Sequence, residues 1–232
     1  MLHACAVSCE LSLRTQHSTF NLQYSIFNIQ TSFKRGHPNP LRAHGAWIYL
    51  FAAIGAGAVV GADNGIEPPL LVGTGYVGVY RAMAAVSVGI EQRRQQFTSG
   101  VGLAVGSSLL ATWLGADVRF LLPELLAIFP ATATLLLEER VGYLARSTLV
   151  SGVSALVLAA PSVALAGGVS VQQAALLCGM LWFVFCWRTL RIAAPLRVNT
   201  AWDREQLRRQ GLFEAALAAI WSIATAIVVR SV

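Results

Sequence analysis

Long apolar runs, separated by short polar or charged stretches, dominate the chain after residue 39. Each run is close to the roughly 17–25 residues that a helix needs to cross a bilayer. The polar residues, glycines and prolines between the runs are typical of helix ends and turns. The pattern predicts an all-α, polytopic transmembrane helix bundle with about seven spans, at residues 46–62, 70–90, 100–116, 120–137, 144–166, 171–192 and 212–229.

Residues 1–39 form a polar, basic tail that differs from the rest of the chain. The tail lacks the cationic start, apolar core and small-residue cleavage site of a signal peptide. Its histidines and cysteines do not follow a standard zinc spacing, so we expect no metal site there. We predict a tail at 1–39, disordered or added by an upstream start codon, and a transmembrane helical domain at 40–232. Nothing in either part indicates a cofactor.

The composition supports a membrane protein. Of the 232 residues, 56% are hydrophobic and 12% are charged, whereas roughly 25% are charged in an ordinary soluble domain. The net charge of +6 is spread too thinly to form the basic face of a nucleic-acid binder. An excess of arginine and lysine is instead expected in the cytoplasmic loops of a membrane protein.

The positions of the basic residues predict the orientation of the bundle. With the N-terminus in the cytoplasm, nearly all arginines and lysines after residue 33 fall in cytoplasmic segments, and only Arg119 and Arg230 fall outside. Cytoplasmic loops carry this excess in membrane proteins generally. An odd number of spans then places the C-terminus on the outer side.

Glycines recur at spacings that favour close helix packing. Gly57 with Gly61, and Gly102 with Gly106, follow the GxxxG pattern that lets two membrane helices approach closely. The stretch 73–78 also spells G-x-G-x-x-G, but no strand precedes it, as a dinucleotide-binding motif would require. We interpret those glycines as contacts between helices.

Arg81 is the charge that the predicted spans place deepest in the membrane, near the middle of the second span. A charge there costs at least ~2.5 kcal/mol, so a partner or a polar cavity is expected. Glu124 is the acidic residue predicted to lie well inside another span, although the two depths differ by roughly 10 Å. The sequence leaves two alternatives open, an ion pair with Glu124 or a bound anion at Arg81. Arg188 lies closer to the cytoplasmic end, where its side chain can reach water.

The segment Arg42-Ala43-His44-Gly45-Ala46-Trp47 resembles the opening of the YwiC-like membrane protein family. The basic pair Arg93-Arg94, the charged segment 138–140 and the basic exit at 187–191 agree with that resemblance. It covers about residues 40–229. It implies a multi-pass protein of a bacterial-type cytoplasmic (inner) membrane, with a layout similar to the UbiA-type prenyltransferases and no defined biochemical role.

Prenyl transfer is disfavoured by the charged segments themselves. UbiA-type enzymes hold magnesium with aspartate-rich loops, whereas residues 91–94 and 138–140 contain no aspartate. Arginines there suit direct binding of an anionic head group better. We therefore predict a non-enzymatic component that binds a membrane lipid, an anionic lipid or a quinone-type ligand, or acts in assembly; the alternatives are a UbiA-like prenyltransferase and a small anion transporter. The candidate binding residues are Arg42, His44, Trp47, Arg81, Arg93, Arg94, Glu124, Glu138, Glu139 and Arg140.

Overall fold

The computed structural model describes residues 44–62, 65–85, 90–142, 145–198 and 204–232. The predicted tail at 1–39 and the candidate residue Arg42 lie outside these ranges. The described residues form helices joined by turns, as the apolar pattern predicted. The α-helices are α1 (His44–Val60), α2 (Glu67–Ala84), α3 (Ile90–Trp113), α4 (Leu121–Val141), α5 (Arg146–Val157), α6 (Ala159–Ala166), α7 (Val171–Val198) and α8 (Arg204–Arg230).

Within the described ranges, four helical stretches are long and apolar enough to cross a membrane. They are Val118–Glu138, Arg146–Ala166, Val171–Arg191 and Leu212–Arg230, and a shorter apolar helix covers Ala46–Val60. Large apolar side chains also cover much of the outer surface of the bundle, as Phe129 and Trp113 illustrate with exposures of 74% and 80%. A surface of this kind suits a hydrocarbon environment, because a water-soluble protein rarely exposes large contiguous apolar patches.

The short helix α6 lies at the centre of the bundle. All eight of its residues are buried, and it contacts α1, α2, α4, α5 and α7. In the most apolar 18 residues of the stretch Arg146–Ala166, which contains α6, 56% of the residues are buried, against 22% to 33% in the other three membrane-length stretches. Five of the other described helices therefore pack around α6.

A break at Leu158 separates α5 from α6, where the sequence predicted one continuous span. Pro161 has no backbone N–H and would disrupt the interior of a continuous helix. The break places Pro161 in the first turn of α6, where that hydrogen bond is not needed. The hydroxyl group of Tyr76 supports the break by donating to the Leu158 carbonyl at 3.1 Å, and the Ser162 hydroxyl donates to the Phe120 carbonyl at 3.0 Å.

The GxxxG pattern at Gly57 and Gly61 is a genuine helix contact. A Cβ atom on Gly57 would lie 2.5 Å from the carbonyl oxygen of Ala160, and one on Gly61 would lie 3.0 Å from that of Ala164. The missing side chains thus let α1 lie directly on the backbone of α6. The matching prediction for Gly102 and Gly106 is wrong, since no heavy atom lies within 4 Å of a Cβ atom at either position.

The helices α2 and α3 form the other close crossing. A Cβ atom on Gly78 would lie 2.6 Å from the carbonyl oxygen of Gly100, and one on Gly75 would lie 2.8 Å from the Ser107 hydroxyl oxygen. These contacts confirm that glycines of the G-x-G-x-x-G stretch serve helix packing. Because later residues of α2 meet earlier residues of α3, the two helices are antiparallel.

The boundaries of α2 and α3 differ from the prediction. The second span was expected to reach residue 90, but α2 ends at Ala84, and α3 begins at Ile90 and not near residue 100. The charged segments 91–94 and 138–140 were predicted as loops, yet both belong to helices. Glutamate, glutamine and arginine are good helix formers, so a helix continues through them beyond the apolar run.

Asp117 and Arg119 form the tight turn that the sequence predicted before α4. Asp117 accepts hydrogen bonds from the backbone N–H of Arg119 at 2.9 Å and from its Nε–H at 2.7 Å. The Arg119 guanidinium holds the pKa of the Asp117 carboxyl below its usual value by stabilising the charged form.

Candidate functional site

A buried ion pair joins the two C-terminal helices. Arg188 of α7 donates from Nε to Oε2 of Glu214 in α8 at 2.6 Å, and its Nη2 contacts the same oxygen atom. The side chains retain only 19% and 11% of their exposure. An arginine that makes two bonds to one carboxylate gives a strong, oriented contact. The pair therefore fixes α7 against α8.

The two residues meet because they lie at equal depth. Arg188 is ten residues before the end of α7 and Glu214 is ten residues after the start of α8, which corresponds to roughly 15 Å along each helix. Both lie within the stretches apolar enough to cross a membrane. Charged groups in such stretches are costly and commonly mark functional sites.

Helix α1 covers the ion pair with Tyr49. The Tyr49 ring is 6% exposed and stacks on Phe185 of α7, with ring centroids 4.5 Å apart. Its hydroxyl group lies in the electrostatic field of Arg188 and Glu214 and faces the hydroxyl group of Thr189. Three helices thus bring two charges and two hydroxyl groups together; we call Tyr49, Arg188, Thr189 and Glu214 the polar junction.

The predicted pair of Arg81 with Glu124 is not found among the described residues. Because α2 ends at Ala84, Arg81 lies in the last turn of its helix, where its side chain is exposed. Glu124 lies in the first turn of α4, half-buried, next to the hydroxyl group of Ser108 in α3. The premise of a mid-span Arg81 was therefore wrong, and the buried ion pair seen within the described ranges joins Arg188 to Glu214.

Glu214 was not predicted as a site residue, because it is only the third residue of the predicted seventh span. The regular spacing of small and polar residues in α8 could nevertheless have identified it. Glu214, Ala218, Ser222 and Thr225 lie at helical intervals and are all buried. A stripe of small and polar residues of this kind is typical of an interface between membrane helices, and it indicates that Glu214 faces the protein.

A second feature is an apolar groove between α2, α3 and α4. Its volume is about 260 Å³. Phe97 and Val101 of α3 line it, and its remaining lining residues are Val79, Ala82, Met83, Ala104 and Leu135. The predicted site residues Arg93 and Arg94 lie four and three positions before Phe97, hence on the same side of α3. Both are exposed, so the groove has a basic rim.

The predicted residues at the end of α4 lie near the same groove. Leu135 lines it, and Glu138 follows three positions later on the same face of α4. Glu138 and Arg140 are exposed. Glu139 lies in the helix, but its side chain is outside the described part. The rim therefore carries both signs of charge.

Trp47 packs between α1 and α2. Its ring stacks on Phe51 at a centroid distance of 5.5 Å and meets Tyr80 edge-on at 4.5 Å. Its Nε1–H is buried and has no hydrogen-bond partner within the described ranges. His44 begins α1, but its side chain lies outside what the structure describes. The structure thus tests neither residue as a ligand site.

No protein-family model, curated protein or solved structure matches the chain.

Proposed function

We propose that the chain is a multi-pass integral membrane protein of the YwiC-like type, with seven spans and a cytoplasmic N-terminus in a bacterial-type inner membrane. Seven spans correspond to α1, α2, α3, α4, the broken pair α5–α6, α7 and α8. The antiparallel crossing of α2 and α3 agrees with this alternation. The orientation rests on the distribution of arginine and lysine in the sequence.

The topology predicts which positions an impermeant thiol reagent can label in whole cells. In a background without the four native cysteines, Ile66→Cys should be labelled from outside, and Gln95→Cys should react only after the membrane is permeabilised. Both native side chains are exposed, so access to the reagent is limited by the membrane alone. Labelling of Gln95→Cys but not Ile66→Cys in intact cells would reverse the proposed orientation.

Within this topology, the protein binds an anionic phospholipid and has no catalytic role. The observation that carries this proposal is the apolar groove with Arg93 and Arg94 on its rim. The groove lining is entirely apolar and suits an acyl chain, whose burial against Phe97 and Val101 is favourable in the same way as burial of any apolar surface. The arginines suit a phosphate whose charge is not balanced by a cation in the same head group, because guanidinium groups bind phosphate through paired, charge-assisted hydrogen bonds.

Native mass spectrometry of the purified protein with phosphatidylglycerol and phosphatidylcholine tests this proposal. Arg93→Gln combined with Arg94→Gln should weaken phosphatidylglycerol binding severalfold and change phosphatidylcholine binding little. Val101→Trp should weaken both, because the indole fills the groove that both acyl chains need. Arg230→Gln is the matched control, since this exposed arginine lies at the far end of α8. If the arginine variant binds phosphatidylglycerol as strongly as the native protein does, the proposed head-group contact is refuted.

A further inference from the structure

The polar junction contains a buried hydroxyl group that the described residues leave without a hydrogen bond. Thr189 Oγ1 is buried and has no partner within the described part of the chain. The nearby Tyr49 hydroxyl is close enough to interact with it, but the two oxygen atoms do not meet the distance and angle requirements of a hydrogen bond. Thr189 follows Arg188 in α7, so its hydroxyl group lies beside the Arg188–Glu214 pair on the side where Tyr49 of α1 packs.

An unsatisfied hydroxyl group is costly at this position. Thr189 Oγ1 and the neighbouring Tyr49 side chain are both buried, and a buried donor without a partner loses its hydration without compensation. Buried polar groups in folded proteins are nearly always satisfied by protein atoms or by ordered water. We therefore expect Thr189 Oγ1 to have a hydrogen-bond partner.

The groups around the Thr189 hydroxyl determine the chemistry of that partner. The hydroxyl groups of Tyr49 and Thr189 can each donate one hydrogen bond. The Arg188 guanidinium has five N–H donors, and Glu214 Oε2 accepts from its Nε and Nη2. Donors outnumber acceptors in the junction, so we expect the group that completes it to present an acceptor oxygen atom.

We propose that Tyr49 and Thr189, beside Arg188, bind an acceptor oxygen atom between α1 and α7. Its source is an ordered water molecule or the ester carbonyl of a bound lipid. Water is the common solution in protein interiors, where a buried molecule typically forms about three hydrogen bonds to otherwise unsatisfied groups. A bridging oxygen connects α1 to the ion pair and makes α1 part of the junction. This site is separate from the α2–α3–α4 groove.

The exchange Thr189→Val distinguishes a bridged hydroxyl from an unsatisfied one, because valine keeps the shape of threonine and replaces only the hydroxyl group with a methyl group. If an oxygen atom is bound, the variant should melt about 2–4 °C below the native protein. Thr148→Val is the reference for loss of a direct bond, since Thr148 Oγ1 donates to the Gly142 carbonyl at 3.0 Å. Unchanged or higher thermal stability of Thr189→Val would overturn the proposal.

Two further measurements identify the source and guard against a general packing effect. If Thr189→Val is less stable than the native protein both in delipidated micelles and in lipid, the bound oxygen atom belongs to water. If it is less stable only after phosphatidylglycerol is added back, the oxygen atom belongs to a lipid carbonyl. Tyr49→Phe combined with Thr189→Val should cost less than the sum of the single changes, because one bridge is lost once. Additive losses, or an experimental density map without a peak within hydrogen-bonding distance of both hydroxyl oxygens, would rule out the bridge.

Discussion

Glu214→Gln is expected to lower the free energy of unfolding by roughly 3 kcal/mol, because Arg188 is then left in a largely buried site without its counter-charge. Arg188→Leu should cost a similar amount, since it leaves the Glu214 carboxylate unpaired. The double change Arg188→Leu with Glu214→Leu should recover most of the loss, because both charges leave the low-dielectric interior together. Unfolding in mixed micelles, followed by tryptophan fluorescence, measures all three free energies.

The control for this cycle is the exposed pair of Asp117 and Arg119, whose side chains retain 27% and 51% of their exposure. Asp117→Asn should change the free energy of unfolding little, because surface ion pairs contribute little. Additive single changes at Arg188 and Glu214 would contradict an energetic coupling between them. In that case the contact would be a consequence of helix packing and not one of its causes.

Gly57→Ala is expected to destabilise the bundle by about 1–3 kcal/mol, the usual cost of forcing a methyl group into a packed interior. The new Cβ atom would lie 2.5 Å from the carbonyl oxygen of Ala160 and 2.8 Å from the Cβ atom of Val163. Neither atom can yield easily, since one belongs to the backbone and both lie in the fully buried helix α6. The free energy of unfolding in mixed micelles provides the measurement.

Gly55→Ala is the matched control because it lies in the same helix and no atom lies within 4 Å of its Cβ position. Alanine favours helix over glycine by about 0.5–1 kcal/mol, so this change should be neutral or stabilising. The two substitutions therefore have effects of opposite sign. If both destabilise equally, the contact between α1 and α6 does not depend on the missing side chain.

The helical fold and the positions of most of the described helices could be derived from the apolar runs alone. The runs that become α1, α4, α7 and α8 are bounded by polar residues, glycines or prolines, which stop an apolar run whatever the rest of the protein does. The end of α2 and the start of α3 were missed because hydropathy reports where apolar residues stop, whereas helix propensity decides where the helix stops.

The site was harder to predict than the fold for a related reason. Hydropathy gives the depth of a residue along its helix but not the direction in which its side chain points. Arg188 and Glu214 lie at depths from which each could reach water, and only their packing against α1 and each other turns them inward. The groove was likewise unpredictable, because residues of three helices line it, although the basic pair on its rim was identified from the sequence.

The burial of α6 has a consequence for how the protein is made. A chain is synthesised from its N-terminus, so in the proposed topology α5–α6 enters the membrane before α7 and α8 exist. During that interval, the face of α6 that later meets α7 is open to lipid or to the insertion machinery. The least lipid-exposed part of the finished bundle therefore passes through a lipid-exposed stage during biogenesis.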